Sequence, residues 1–239
     1  PQLRELSALQ MQRRLKRGKK ESDSSASPSA SNADQQAPPP LSPEQAHVLG
    51  QIEAHAGPFL LFGATGSGKT EVYLHSVQTL LQADPQAQAL VMVPEINLTP
   101  QLEARFKERF VSQYGDDAVV SIHSGMTNPQ RLRSWLAAHN GTARIVLGTR
   151  MAVFASLPRL RLIVVDEEHD PSYKSGEGAR YSARDLAVYR ARLEGAKVVL
   201  GSATPSVESW HHSRPAEQGG RYLRLHMPSR IGAVPDAQT

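Results

Sequence analysis

The sequence predicts an α/β fold, a mostly parallel β-sheet flanked by helices and preceded by a disordered linker. Three observations carry that expectation. The phosphate-cradling pattern Gly63-Ala64-Thr65-Gly66-Ser67-Gly68-Lys69-Thr70 sits between an apolar run at 59–62 and a helical stretch over 69–83. A second apolar run, 162–165, ends in Asp166-Glu167-Glu168, at the edge where open α/β sheets place their ligands. Further apolar runs at 90–93, 119–122, 145–147 and 197–200 alternate with helical stretches at about 98–114, 128–139 and 182–194. Uninterrupted β-branched runs read as strands buried on both faces, and strand–helix alternation implies right-handed crossovers between parallel strands.

Taken in order, residues 1–20 are strongly basic, with seven Lys/Arg and one acid. They read either as a polyanion-contacting arm or as a solvated remnant of an upstream domain. Residues 21–40 are Ser-, Ala- and Pro-rich with no apolar period, a flexible linker. Order is expected from Leu41. Ser42 is an N-cap, Pro43 suits the first helical position, and Gln45 completes a capping box for a helix to about Ala56. The compact lobe is expected over 41–213, with 214–239 a connector toward a second lobe. The chain begins with Pro1 rather than Met, so it is expected to be a piece of something longer.

Composition excludes several classes. There is no cysteine, hence no disulfide and no Cys-ligated zinc. No apolar run approaches the length of a membrane span, and no signal peptide is visible. The net charge is +4, but the first 20 residues hold +6 of it and the other 219 sum to −2. Any polyanion site on the body is therefore local.

The motifs assign chemistry by residue type. Glycines at 63, 66 and 68 let the loop fold tightly, so the N–H groups of Ala64, Thr65, Ser67 and their neighbours can point at phosphate oxygens. Lys69 brings charge to the β/γ-phosphates, and Thr70 offers a hydroxyl to Mg²⁺. Asp166 is the candidate Mg²⁺ carboxylate, acting through water. Glu167 is the candidate base for an attacking water, with Glu168 the alternative. His123 and His169 have no partners at zinc-like spacing.

The phosphate loop, Asp166-Glu167-Glu168-His169 (a DEAH-like box) and Gly201-Ser202-Ala203-Thr204-Pro205 together resemble the first motor lobe of superfamily-two helicases. The stretches 93–101 (VPEINLTPQ), 123–126 (HSGM) and 166–191 narrow the likeness to the primosomal replication-restart (PriA) family, over about residues 41–228. The resemblance implies a RecA-like P-loop lobe that binds ATP and Mg²⁺. It also implies 3′→5′ movement on single-stranded DNA at forks, in replication restart and primosome assembly. Expected partners are single-stranded and forked DNA, single-stranded-DNA-binding protein and other primosome proteins, in a bacterial, nucleoid-associated, cytoplasmic setting and without a membrane. Zinc is expected only in a downstream region.

Roles by residue follow from the same resemblance. Gln45 matches the adenine-reading glutamine, besides its capping role. Pro94, Glu95 and Thr99 match a DNA-contacting motif, and Gly148-Thr149-Arg150 the next one; Arg150 can equally pair with a carboxylate. Ser202 and Thr204 either report nucleotide state to DNA or cap the following helix. The loop carrying Tyr173, Lys174, Arg180 and Tyr181 resembles an aromatic-rich coupling loop, in which tyrosines can stack bases; the alternative is a plain solvated loop. Two rival functions stay open: another superfamily-two translocase in repair, and a nucleotide- and DNA-binding fragment without turnover.

Overall fold

A computed structural model describes residues 40–230. The basic stretch 1–20, the linker up to 39 and the end of the expected connector, 231–239, lie outside the described residues.

Order starts at the capping signal. The Gln45 N–H donates to Ser42 Oγ and the Ser42 N–H donates to Gln45 Oε1, so helix α1 (Pro43–Ala54) opens on a reciprocal cap. Strand β1 (Phe59–Gly63) runs into the phosphate loop and α2 (Lys69–Ala83) leaves it. Then come β2 (Gln88–Met92), α3 (Pro100–Tyr114), β3 (Val119–Ile122), α4 (Asn128–His139), β4 (Ile145–Gly148) and β5 (Leu160–Val165). A small antiparallel pair, β6 (Lys174–Ser175) and β7 (Tyr181–Ser182), precedes α5 (Ala183–Glu194). The described chain finishes with β8 (Lys197–Ser202), a short α6 (Val207–His212) and β9 (Leu223–Met227). Among the described residues no helix is long and apolar enough to cross a membrane.

Seven strands form one sheet in the order β3-β4-β2-β5-β8-β1-β9, with every pairing parallel. Successive side chains of a strand point to opposite faces, so each apolar run feeds two cores. Phe59, Leu61, Val91 and Val164 pack with Val72, Val77, Phe106 and Phe110 beneath α1, α2 and α3. Leu60, Leu90, Ile163, Val165 and Leu200 pack on the other side with Ala183, Ala187 and Ala191 of α5. The small residues at 183, 187 and 191 recur every four positions, which lets the α5 backbone lie close to the sheet.

One boundary is corrected. The stretch from 214, expected as a connector, supplies β9, which pairs with β1 along its whole length, from Phe59↔Leu223 to Gly63↔Met227. One face of this edge strand is buried in the core while the other is only partly covered, by Trp210 and Phe62, so its sequence alternates: Leu225 and Met227 are buried while Arg224 and His226 are not. A search for continuous apolar runs passes over such a strand. Met227 also reaches the site, because its carbonyl accepts the Ala64 N–H at 3.4 Å.

Leu225→Ala tests that boundary. Leu225 is 4 % exposed, and a buried Leu→Ala change costs about 2–5 kcal/mol. Urea unfolding is expected to show a loss in that range; a loss below about 0.5 kcal/mol, typical of exposed surface sites, would return the segment to the status of a connector.

Candidate active site

Parallel pairing puts the carboxyl ends of β1, β8 and β5 side by side. The registers Phe62↔Ser202 and Val165↔Leu200 bring the phosphate loop, the Gly201–Pro205 segment and the acid run to one edge. A cavity of about 630 Å³ opens there, lined by Gln45, Thr65, Gly66, Gly68, Lys69, Thr70, Glu71, Arg105, Asp166 and Glu167 among others. Its size suits a small-molecule ligand.

The loop has the conformation its glycines permit. Gly66 and Gly68 sit at φ 84° and 83°, where a Cβ would be strained. Gly68 is the N-cap of α2, so the first N–H groups of a 15-residue helix face the cavity. Lys69 is nearly buried, and its Nζ donates to the Gly63 carbonyl at 2.9 Å. Ser67 Oγ is buried with no hydrogen-bond partner among the described residues. A buried hydroxyl of that kind fits a bound phosphate oxygen. Thr70 and Asp166 add hard oxygen donors, and so few protein ligands suit Mg²⁺, which keeps much of its water. Among the described residues no three His, Cys, Asp or Glu side chains gather into a metal-binding group.

The acids divide by environment. Asp166 Oδ1 accepts a hydrogen bond from Tyr73 Oη at 2.9 Å. Burial pushes the Asp166 carboxyl above the ordinary aspartate range; the Tyr73 hydrogen bond and Lys69 act against that push and Glu167 adds to it. Burial likewise raises the Tyr73 phenol, and the Asp166 charge adds to it. Glu167 adopts φ 45°, alone in the left-handed region among the described non-glycine residues, and its side chain stays partly exposed toward the cavity. That backbone turn sends two consecutive carboxylates in different directions.

Glu168 goes inward and is 2 % exposed. It accepts from the Ser206 N–H at 2.7 Å, Ser206 Oγ at 3.0 Å, Ser209 Oγ at 2.8 Å and Arg184 Nη1 at 3.3 Å. With its oxygens so occupied, Glu168 is no alternative base; it pins α6 and α5 to the end of β5. His169 bridges in parallel, its Nδ1 2.8 Å from Ser202 Oγ and its Nε2 3.3 Å from Thr204 Oγ1. Ser202 Oγ also accepts from the Thr204 N–H, but the N-cap of α6 is Ser206, so neither Ser202 nor Thr204 caps that helix.

Other expectations meet different surroundings. Gln45 lines the cavity, but its Oε1 serves the cap and its Nε2 donates to the Gly68 carbonyl at 3.3 Å. It ties the helix start to the phosphate loop, with one lone pair and one N–H left for a base edge. The segments after β2 and β4 are neighbours, since the Val93 N–H donates to the Gly148 carbonyl. There Pro94 and Thr149 are buried, Glu95 is exposed and accepts from Ser124 Oγ, and Thr99 caps α3. Gly148 is required by packing: a Cβ there would stand 2.2 Å from the Ala152 Cβ.

Arg150 is partly exposed and has no carboxylate within ion-pair distance among the described residues. Its Nη1 donates to the carbonyls of Ser172 and Lys174, at 3.3 and 2.8 Å. Tyr173 is corrected as a stacking platform. Its ring is buried, and its hydroxyl donates to the Asp166 carbonyl at 2.7 Å. Lys174 and Arg180 are exposed, and Tyr181 packs edge-on against Phe154 with ring centres 5.1 Å apart.

Sequence reading missed Tyr73, Arg184, and the Glu71 cluster, in which Arg105 and Arg109 meet one carboxylate at 3.2 and 2.6 Å. Tyr73 had a signal: it stands four residues after Lys69 and so shares its helix face. The other contacts join residues far apart in the chain, for which spacing carries no signal.

Comparison with known proteins follows the same lines. The family described as DEAD/DEAH box helicase matches residues 42–211. Replication restart protein PriA of Haemophilus influenzae is 43% identical over 194 residues, covering 80% of this chain and 25% of that protein. Its counterpart in Bacillus subtilis is 44% identical over 173 residues, covering 72% and 20%. The chain thus spans about a quarter or less of these relatives. Among solved structures, the DUF1998 helicase MrfA bound to DNA superposes with TM-score 0.57 at 19% identity, over 80% of this chain and 27% of that one. The DEAD-box helicase Mss116 bound to single-stranded RNA and UDP-BeF gives 0.56 at 19%, over 80% and 40%. At such identity these two share the fold.

Glu168→Ala is expected to lower unfolding stability by about 1–3 kcal/mol, because it leaves the buried Ser206 and Ser209 hydroxyls without their acceptor while Arg184 keeps its pair with Asp185. Glu168→Gln, which keeps the shape, is expected to cost less. A denaturation midpoint for Glu168→Ala equal to that of the unsubstituted chain would show that the network holds nothing in place.

Proposed function

The chain belongs to the DEAD/DEAH box helicase family, and on that footing we propose that it is the ATP-binding motor lobe of a 3′→5′ DNA helicase of replication restart. One observation carries the reading: a phosphate loop with its lysine and threonine, a metal-type carboxylate and a partly exposed glutamate line one cavity. The PriA name of its relatives supports replication restart, and the DNA in the MrfA structure supports a DNA substrate. Single-stranded and forked DNA are the proposed substrates. Single-stranded-DNA-binding protein and primosome proteins are the proposed partners of the whole protein, in the cytoplasm at the nucleoid.

The chain's own residues divide the work. On ATP binding the Lys69 ammonium leaves the Gly63 carbonyl for the β- and γ-phosphate oxygens, while the α2 N-terminus and loop N–H groups hold the phosphates. Thr70 Oγ1 and the Asp166 carboxylate would hold Mg²⁺, which would supply charge neutralisation for the phosphates. A Glu167 carboxylate oxygen takes the proton from the attacking water. DNA contacts come from the edge formed by the segments after β2 and β4 and from the exposed Lys174 and Arg180. In related phosphoryl-transfer systems an arginine supplied from elsewhere accelerates hydrolysis by several orders of magnitude. Turnover by this lobe alone is accordingly slow.

Two substitutions test this. Lys69→Ala is expected to weaken ATP binding by calorimetry about 100-fold, in keeping with the loss of a charge-assisted contact; unchanged affinity would sink the assignment. Glu167→Gln is expected to retain ATP while DNA-stimulated turnover in the whole motor falls at least about 100-fold. Turnover near the normal rate would mean that another group takes the proton.

A further inference from the structure

Tyr73 is buried to 2 % exposure inside the core beneath α2. A phenylalanine would supply the same apolar area, and a hydroxyl at that depth is costly unless bonded. Its bond goes to Asp166 Oδ1, 2.9 Å away and 93 residues distant in sequence. Room for it exists because position 201, in β8, is glycine. A Cβ on Gly201 would stand 1.7 Å from Tyr73 Oη and 3.5 Å from Asp166 Oδ1. No rotamer of a longer residue leaves that space, since the Cβ position is set by the backbone. On the main-chain side, Tyr173 Oη donates to the Asp166 carbonyl at 2.7 Å. The Asp166 N–H is spent on the Met92 carbonyl at 2.9 Å. Asp166 is therefore held at its N–H, its carbonyl and one carboxylate oxygen.

We propose that Tyr73, acting through the gap left by Gly201, is a positioning residue that fixes the Asp166 carboxylate so that it serves the metal–nucleotide complex. The proposal rests on the reading of the cavity as a nucleotide·Mg²⁺ site. With Oδ1 bonded to the phenol and the carboxylate also accepting from the Glu167 main chain, rotation about its terminal torsion is restricted where Asp166 lines the cavity. Groups that hydrogen-bond a metal's carboxylate in this way orient it, and their loss costs about 10–100-fold in metal affinity. Gly201 adjoins Ser202, which meets His169, so the clearance for the phenol is set by the same segment that contacts the acid run.

The test is calorimetric binding of a non-hydrolysable ATP analogue to the full chain across a Mg²⁺ series, with an EDTA arm. Tyr73→Phe is expected to raise the Mg²⁺ midpoint about tenfold while leaving affinity in EDTA within about twofold. Gly201→Ala, which evicts the hydroxyl from the opposite side, is expected to give the same displacement. In an Asp166→Asn background, Tyr73→Phe is expected to add less than about twofold, as coupled residues do. A Tyr73→Phe midpoint within about twofold of the unsubstituted chain overturns the proposal. Equal losses with and without Mg²⁺ overturn it too, since they would mark a packing role. If Gly201→Ala does not fold, Tyr73→Phe and its Asn background decide alone. Failure of the unsubstituted chain to bind the analogue in either arm would instead overturn the nucleotide reading, and this proposal with it.

Discussion

Parallel pairing of β1, β8 and β5 is the constraint on which the rest depends. A parallel sheet carries all its strand ends in one direction, so three segments far apart in sequence end side by side. The phosphate loop follows β1, Gly201 and Ser202 close β8, and Asp166 follows β5. Each segment needs the others. The Tyr73 hydroxyl fits over Gly201 to reach Asp166, the Glu168 N–H donates to the Gly201 carbonyl, and Met227 of β9 accepts from Ala64 of the loop. The site is thus a property of the sheet edge rather than of any one motif.

The run Asp166-Glu167-Glu168 shows how one backbone feature separates three similar side chains. Asp166 keeps the strand direction and is gripped by Tyr73. Glu167, turned by its left-handed φ, borders the cavity. Glu168 enters the interior, where four donors, one of them the Arg184 guanidinium, satisfy it. An unpaired buried carboxylate would be prohibitive, so the serines at 206 and 209 and the arginine at 184 are as necessary to this turn as the acids are. The same contacts hold α5 and α6, and hence both flanks of the site, to the end of β5.

Behind the acids lies a second linkage. The segment from Pro171 to Ser182 is held by Arg150, which takes two of its carbonyls, and by the short β6–β7 pairing. Tyr173 joins it to Asp166 through a single hydrogen bond. The segment thus joins Arg150, which follows β4, to the main chain of Asp166, which follows β5, with β2 lying between those two strands.

The sequence by itself determined the fold class, six of the seven sheet strands and the residues of the phosphate loop. Those features are local: apolar runs, capping residues and glycine spacing act over a few positions, and their physics is complete within the segment. Even Asp166 and Glu167 were legible, because a strand followed by acids is a local pattern. What the tertiary structure decided was every role that depends on a partner distant in the chain. Tyr173 read as an exposed ring and is buried; the carboxylate partner open to Arg150 is replaced by two carbonyls; Glu168 read as a spare base and is a pin. The stretch 223–227 read as a connector and is an edge strand, because only one of its faces is fully buried and only the neighbour β1 shows which. Burial and pairing are set by what packs against a residue, and spacing along the chain carries no record of that.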